Sequence, residues 1–389
     1  MIKRLLGERL RRGAGQYPVV LLTGPRQSGK TTLCRAVFAD KDYVSFENPD
    51  NREFAQKDPR GFLDLYPDGA VFDEIQKSPH LLSYLQGIVD SKKKNGMYIL
   101  TGSQNLLLLK SVQQSLAGRV DVLKLLPFCM GEIRPLINDL SRDEILYTGF
   151  YPRLYDQKLN PTEAMRNYVE TYVQRDVREI LNIKNLSSFQ NFLKLCAGRI
   201  GQVLNMSSLG NDIGLSHTTV REWLSILEAS YIIYLLPAYY RNFNKRIIKS
   251  PKLYFTDVGM ACYLLGIEKP RQVGRDPLLG GLFENLVLTE ILKYYWAHGR
   301  NAPMYFFRDN VGNEVDCVIE KARNLIAVEI KAGKTVNSDW FKGLNYLLRL
   351  YPKGIISRNI VCGIERSTRR EKINVYSYNK ICDLYSQSE

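Results

Sequence analysis

The sequence predicts an α/β protein of three successive domains: a parallel-sheet domain over residues 1–150, a helical domain over 151–270, and a second α/β domain over 271–389. Three observations predict it. Short apolar runs alternate with amphipathic stretches in the first zone, helical periodicity dominates the second, and the third reads helix, strand, strand, helix, strand. A chain of 389 residues also exceeds what one core ordinarily serves.

Bulk composition narrows the class. Hydrophobic residues make up 45% and charged residues 24%, an ordinary globular balance. The net charge of +14 favours polyanion partners. The seven cysteines, Cys34, Cys129, Cys196, Cys262, Cys317, Cys362 and Cys382, show no C-x-x-C pair and read as reduced thiols of a cytoplasmic protein. Three histidines argue against a His-rich zinc site. The run "PVVLLTG" is too short for a signal peptide's apolar region. The stretch "YIIYLLPAYY" (231–240) falls well short of the roughly 20 residues needed to span a bilayer, so no membrane partner is expected.

In the first zone "VVLLTG", "YVSFE", "GAVFDE" and "MYILTGS" read as buried strands. "LLTGPRQSGKTTL" (21–33) carries Gly24, four variable residues, Gly29, Lys30 and Thr31, with a strand before and a helix, about 31–38, after. This is the Walker A spacing. Glycines let backbone N–H groups approach phosphate, Lys30 neutralises the β- and γ-phosphates, and the Thr31 hydroxyl ligates Mg²⁺. Gln27, Ser28 and Thr32 complete the predicted nucleotide contacts. "GAVFDEIQ" ends a second strand in Asp73, assigned to the metal, and Glu74, assigned as the base that polarises the attacking water. "MYILTGSQ" ends a third in Ser103 and Gln104, read either as γ-phosphate or water contacts or as a solvated strand end.

These motifs, with "SLAGRV…LLPF" and "YVETYVQRDV" following in order, resemble a group of prokaryotic AAA-superfamily ATP-binding proteins with a C-terminal half of unknown function. The resemblance covers essentially the whole chain. It implies a P-loop AAA-type ATPase domain, ATP and Mg²⁺ as cofactors, and hydrolysis. It also implies an arginine at the γ-phosphate, in some cases lent by a second copy of the chain. Arg119 is the first candidate, with Arg175 and Arg178 behind it, and a plain ion pair is the alternative for each.

The middle zone has the cadence of a helix-turn-helix. A helix at about 207–213 and the turn at Gly214 precede the N-cap Ser216 and a second helix at 217–229. Val220, Leu224 and Leu227 face inward; His217, Thr218, Thr219, Arg221 and Glu222 sit where a recognition helix reads bases. Arg241, Lys245, Arg246, Lys249 and Lys252 suit a winged hairpin on DNA phosphates. A lid or protein-docking surface is the competing reading.

In the third zone Glu284 lies on a helix, Asp316 in "EVDCVIE", and Glu329 and Lys331 in "AVEIKAG". Strand alternation puts Glu329 and Lys331 on one face. Two carboxylates and a lysine suit Mg²⁺-assisted hydrolysis, with Asp316 and Glu329 as metal ligands and Glu284 and Lys331 completing the catalytic set. The pattern resembles the PD-(D/E)xK, restriction-endonuclease-like nuclease fold, without its proline. An ion-pair cluster, or a binding domain without chemistry, are the alternatives. The whole is expected to be an ATPase that drives or gates a DNA-acting C-terminal half, or else a nucleotide-dependent switch binding a protein partner.

Overall fold

The computed structural model describes residues 2–103, 112, 114–173, 186–239 and 250–385. The chain divides into two compact units. The first comprises 1–128 with 229–231 and 295–300; the second comprises 129–228, 232–294 and 301–389.

The first unit is built on a five-stranded parallel sheet of β1 (Val19–Gly24), β2 (Asp42–Ser45), β3 (Ala70–Asp73), β4 (Tyr98–Ser103) and β5 (Val120–Lys124), in the order β2-β3-β4-β1-β5. Parallel strands need crossovers, and helices on both faces make the central strands apolar throughout. In β1, Val19 and Leu21 enter one core with Phe46, Phe62, Phe72 and Leu100. Val20 and Leu22 enter the other, with Leu6 and Leu10 of α1 (Leu6–Gln16) and Leu33 of α2 (Lys30–Val37). The C-terminal ends of β1, β3 and β4 therefore lie along one edge of the sheet, where the glycine loop, the Asp-Glu pair and Ser103 follow.

The second unit holds most of both later zones, and it takes residues 129–150 from the first predicted domain. The reason is local packing. Helix Arg142–Thr148 lies against helix Val258–Leu264, and the buried amides of Met130 and Phe150 donate to Glu290 Oε2 (2.8 Å) and Asp257 Oδ2 (2.7 Å).

Within this unit, helices Met206–Asn211 and His217–Ala229 precede an antiparallel pair, β6 (Ile233–Leu236) and β7 (Lys252–Phe255). Ser216 Oγ accepts from Thr219 N at 3.1 Å, the predicted cap. Trp223 packs edge-on against Phe189 and Phe192. A mixed six-stranded sheet follows in the order β12-β13-β11-β10-β9-β8, made of β8 (Met304–Arg308), β9 (Glu314–Lys321), β10 (Asn324–Lys331), β11 (Ile355–Cys362), β12 (Thr368–Arg370) and β13 (Ile373–Ser377). Strands β8, β9 and β10 are antiparallel neighbours. Helix Lys342–Leu350 makes the crossover that parallel pairing of β10 with β11 requires. Strand β8 and the β12–β13 edge have no counterpart in the helix, strand, strand, helix, strand pattern expected for the third zone. No described helix is long and apolar enough to cross a membrane.

Candidate functional site

The first unit assembles its candidate site where β1 turns into α2. Gly24 has φ +151°, and a Cβ there would stand 2.1 Å from Leu125 O, so the loop leaves the sheet where no side chain fits. Gly29, at φ +92°, heads α2 in a left-handed conformation, and Gln27 also has positive φ (57°). Ser28 is fully buried and Thr32 is exposed. Lys30 is 5% exposed, and its Nζ donates to Gly24 O (3.0 Å) and Pro25 O (2.8 Å). Burial lowers the Lys30 pKa to about 8, against the opposing pull of Glu74 and Asp73.

Asp73 is the last residue of β3. Its carboxylate accepts from Thr31 Oγ1 (3.1 and 3.0 Å), from Tyr43 Oη (2.7 Å) and from Thr101 Oγ1. Hydroxyl and carboxylate, both hard oxygen donors held together at a strand end, fit Mg²⁺. Glu74 turns out of the strand in a left-handed conformation, φ 59°. Its Oε2 accepts from Gln76 Nε2, which also donates to Ser103 Oγ at 3.0 Å; Ser103 Oγ is itself 3.5 Å from Glu74 Oε2. Thus Thr31 meets Asp73, and Glu74 meets Ser103 and the unpredicted Gln76.

Arg4, also unpredicted, braces the loop. Only 8% exposed, it donates from Nη1 to Ser28 O and from Nη2 to Leu126 O, each at 2.7 Å, and lies over the Phe128 ring. No local pattern marks it; its partners are 24 and 122 residues away.

Arg119 is not brought to the loop. Its carbonyl accepts from Val19 N, at the start of β1, whereas the loop leaves from Gly24 at the other end. Six strand residues separate the two, roughly 17 Å. Its guanidinium grips both oxygens of Asp90, at 2.5 and 2.8 Å. Gln104, Arg175 and Arg178 lie outside the described residues, as do Arg241, Lys245, Arg246 and Lys249.

A second constellation lies within the other unit. Lys252, expected on a phosphate-facing wing, is instead 2% exposed. Alternation along β7 turns Lys252 and Tyr254 to one side, where Lys252 Nζ reaches Glu284 Oε1 (2.9 Å), Glu314 Oε1 (2.5 Å) and Asp316 Oδ1 (3.8 Å). Tyr254 Oη donates to the same Glu284 oxygen at 2.6 Å. Lys331 Nζ bridges Asp316 Oδ2 (3.3 Å) and Glu329 Oε1 (2.6 Å). Lys252, Glu284, Glu314, Asp316, Glu329 and Lys331 line a cavity of about 460 Å³. Burial, reinforced by Asp316, raises the pKa of Glu284 to about 7 and that of Glu329 to about 8. Burial alone would lower the pKa of Lys252, but Glu284, Asp316 and Glu314 outweigh it and raise it. So the structure gathers Glu284, Asp316, Glu329 and Lys331, and adds Lys252 and Glu314. Glu314 sits two residues from Asp316 on one strand face, a signal the sequence already held. Among the described residues, no three His, Cys, Asp or Glu side chains form a group that could hold a metal ion.

Residues 16–134 match a family described as an AAA domain. Residues 140–271 and 279–381 match two domains of unknown function, DUF8612 and DUF4143. Uncharacterized proteins of Mycobacterium bovis and Mycobacterium tuberculosis are each 29% identical over 338 residues, covering 86% of this chain and 74% of theirs. Among solved structures, a Walker-type ATPase of Pyrococcus abyssi is similar at TM-score 0.44 and 15% identity, over 68% of this chain and 96% of that one. AMPPCP-bound DnaA from Aquifex aeolicus is similar at TM-score 0.31 and 14% identity, over 58% and 86%.

Proposed function

We propose that the first unit binds ATP and hydrolyses it, and that its nucleotide state gates a second unit that binds DNA. One observation carries the reading: the loop Gly24–Thr31 opens α2 at the same sheet edge where Thr31 Oγ1 meets Asp73 and Glu74 stands beside Ser103. Backbone amides of the loop and the start of α2 would hold the phosphates, and Lys30 would place its ammonium against them. Thr31 and Asp73 would hold Mg²⁺, which would supply charge neutralisation at the phosphates. Glu74 then orients and deprotonates the attacking water; Gln76 and Ser103 fix its carboxylate from one side. Asp73 keeps its position through Tyr43 and Thr101 on the neighbouring strands.

For the second unit the reading rests on the helix pair, the antiparallel β6–β7 pair after it, and the exposed His217, Thr218, Arg221 and Glu222 on the second helix. The net charge of +14 favours a polyanion partner. A second reading, a nucleotide-dependent switch for a protein partner with a silent C-terminal region, is favoured by one feature: lysines neutralise the carboxylates of the 460 Å³ cavity from within.

The test separates binding from turnover. Lys30→Ala abolishes saturable ATP binding. Glu74→Gln keeps ATP bound and lowers turnover about 10²–10⁴-fold, the contribution of a positioned base. Undiminished hydrolysis in Glu74→Gln removes Glu74 from the base role. Duplex binding that weakens steeply with salt selects the DNA reading, and its absence at low salt selects the switch.

A further inference from the structure

We infer that the carboxylate cluster of the second unit is closed to divalent metal, because Lys252 is its built-in cation. The seat is made by residues far apart in sequence: Glu284 from helix Leu279–Ala297, Glu314 and Asp316 from β9, and Lys252 from β7. The ammonium stands within 4 Å of three of the carboxylates. The fourth, Glu329, is held by Lys331, which also takes the second oxygen of Asp316. Ile330 N donates to that oxygen too, at 2.8 Å. Both Asp316 oxygens thus already face positive partners.

Lys252 has little freedom to withdraw. Its backbone pairs with Leu236 in the β6–β7 ladder and bridges to Val203 on the other side, and Leu204 N donates to Pro251 O at 2.8 Å. Only 3% of its side chain is exposed, and Phe306 covers the ammonium with its ring centroid 5.6 Å away. A divalent ion seated among the same oxygens would stand against this ammonium in a buried site, where like charges repel most strongly. The cluster therefore serves to lock β7 and helix Leu279–Ala297 to the sheet, and metal-assisted phosphodiester cleavage is not its chemistry.

Mn²⁺ titration followed by electron paramagnetic resonance tests this on the full-length, nucleotide-free protein. Every comparison is made between a variant and its parent, so that any ion at Thr31 and Asp73 cancels. Wild type, Asp316→Asn and Glu329→Gln are expected to bind the same number of Mn²⁺ ions. Lys252→Met is expected to gain one, which is lost again in Lys252→Met combined with Asp316→Asn. A wild-type ion that disappears in Asp316→Asn or Glu329→Gln overturns the inference, and so does a folded Lys252→Met protein that gains none. Should Lys252→Met fail to fold, the comparison of wild type with Glu329→Gln decides the matter alone.

Discussion

Replacing Arg4 with Met probes whether the nucleotide loop is held in shape from outside its own sequence. The guanidinium makes two charge-assisted hydrogen bonds, to Ser28 O and Leu126 O, both at 2.7 Å and both buried. Hydrogen bonds to a charged group contribute about 1.5–3 kcal/mol each, and a buried carbonyl left without its donor adds a penalty. Methionine keeps much of the apolar stem against Phe128 but donates nothing. Losing both bonds should lower the free energy of local opening by about 3 kcal/mol, the low end of the sum, or roughly a 10²-fold loss of amide protection. Hydrogen exchange on peptides covering residues 24–31 reads this directly, with β3 peptides as an internal control. ATP affinity should fall with it, since a loop that opens more often is less preorganised. Lysine at position 4 retains the charge but not the fork, so it should recover only part of the protection. Protection and affinity both unchanged in Arg4→Met would show that the loop holds itself, and the bracing argument would fail.

Other expectations concern the same site. Gly24→Ala places a Cβ 2.1 Å from Leu125 O at φ +151°, so it should cost on the order of 3 kcal/mol and eliminate ATP binding; calorimetry on protein with native circular dichroism checks it. The pH dependence of binding follows from Lys30. Its pKa of about 8 means the ammonium is present below that pH and lost above it, while a bound phosphate favours the charged form. ATP affinity should therefore fall as pH rises, about tenfold between pH 7 and 9, and a flat profile over that range would remove Lys30 from phosphate contact.

What was legible in the sequence follows from the range of the interactions. Strands β1, β3 and β4 are short apolar runs, β1 ending in Gly24 and the other two in a polar residue, and both the glycine loop and the Asp73-Glu74 pair are contiguous. Such local patterns read directly. The partners that fix them do not: Gln76 joins Glu74 to Ser103, 27 residues on, and Arg4 reaches Leu126. Arg119 comes soon after β4 in the sequence and therefore reads as an arginine near the phosphates. The strand order sets β5 parallel to β1, which puts the start of β5, and so Arg119, at the opposite edge. Lys252 lies just beyond a run of basic residues and reads as one of them. Its burial is decided by β7 pairing and by carboxylates up to 64 residues away, and no window of the sequence contains both.

The Asp73 carboxylate receives hydroxyls from α2, β2 and β4, so it works as a mortise joint among three strands and a helix rather than as a pendant group. Any shear of β2 or β4 against β3 must shift this acid. Tyr43 and Thr101, both outside the glycine loop, therefore set the tolerance to which the joint is cut, and coarsening either one should register as misplacement of the Mg²⁺ proposed there long before the sheet itself gives way.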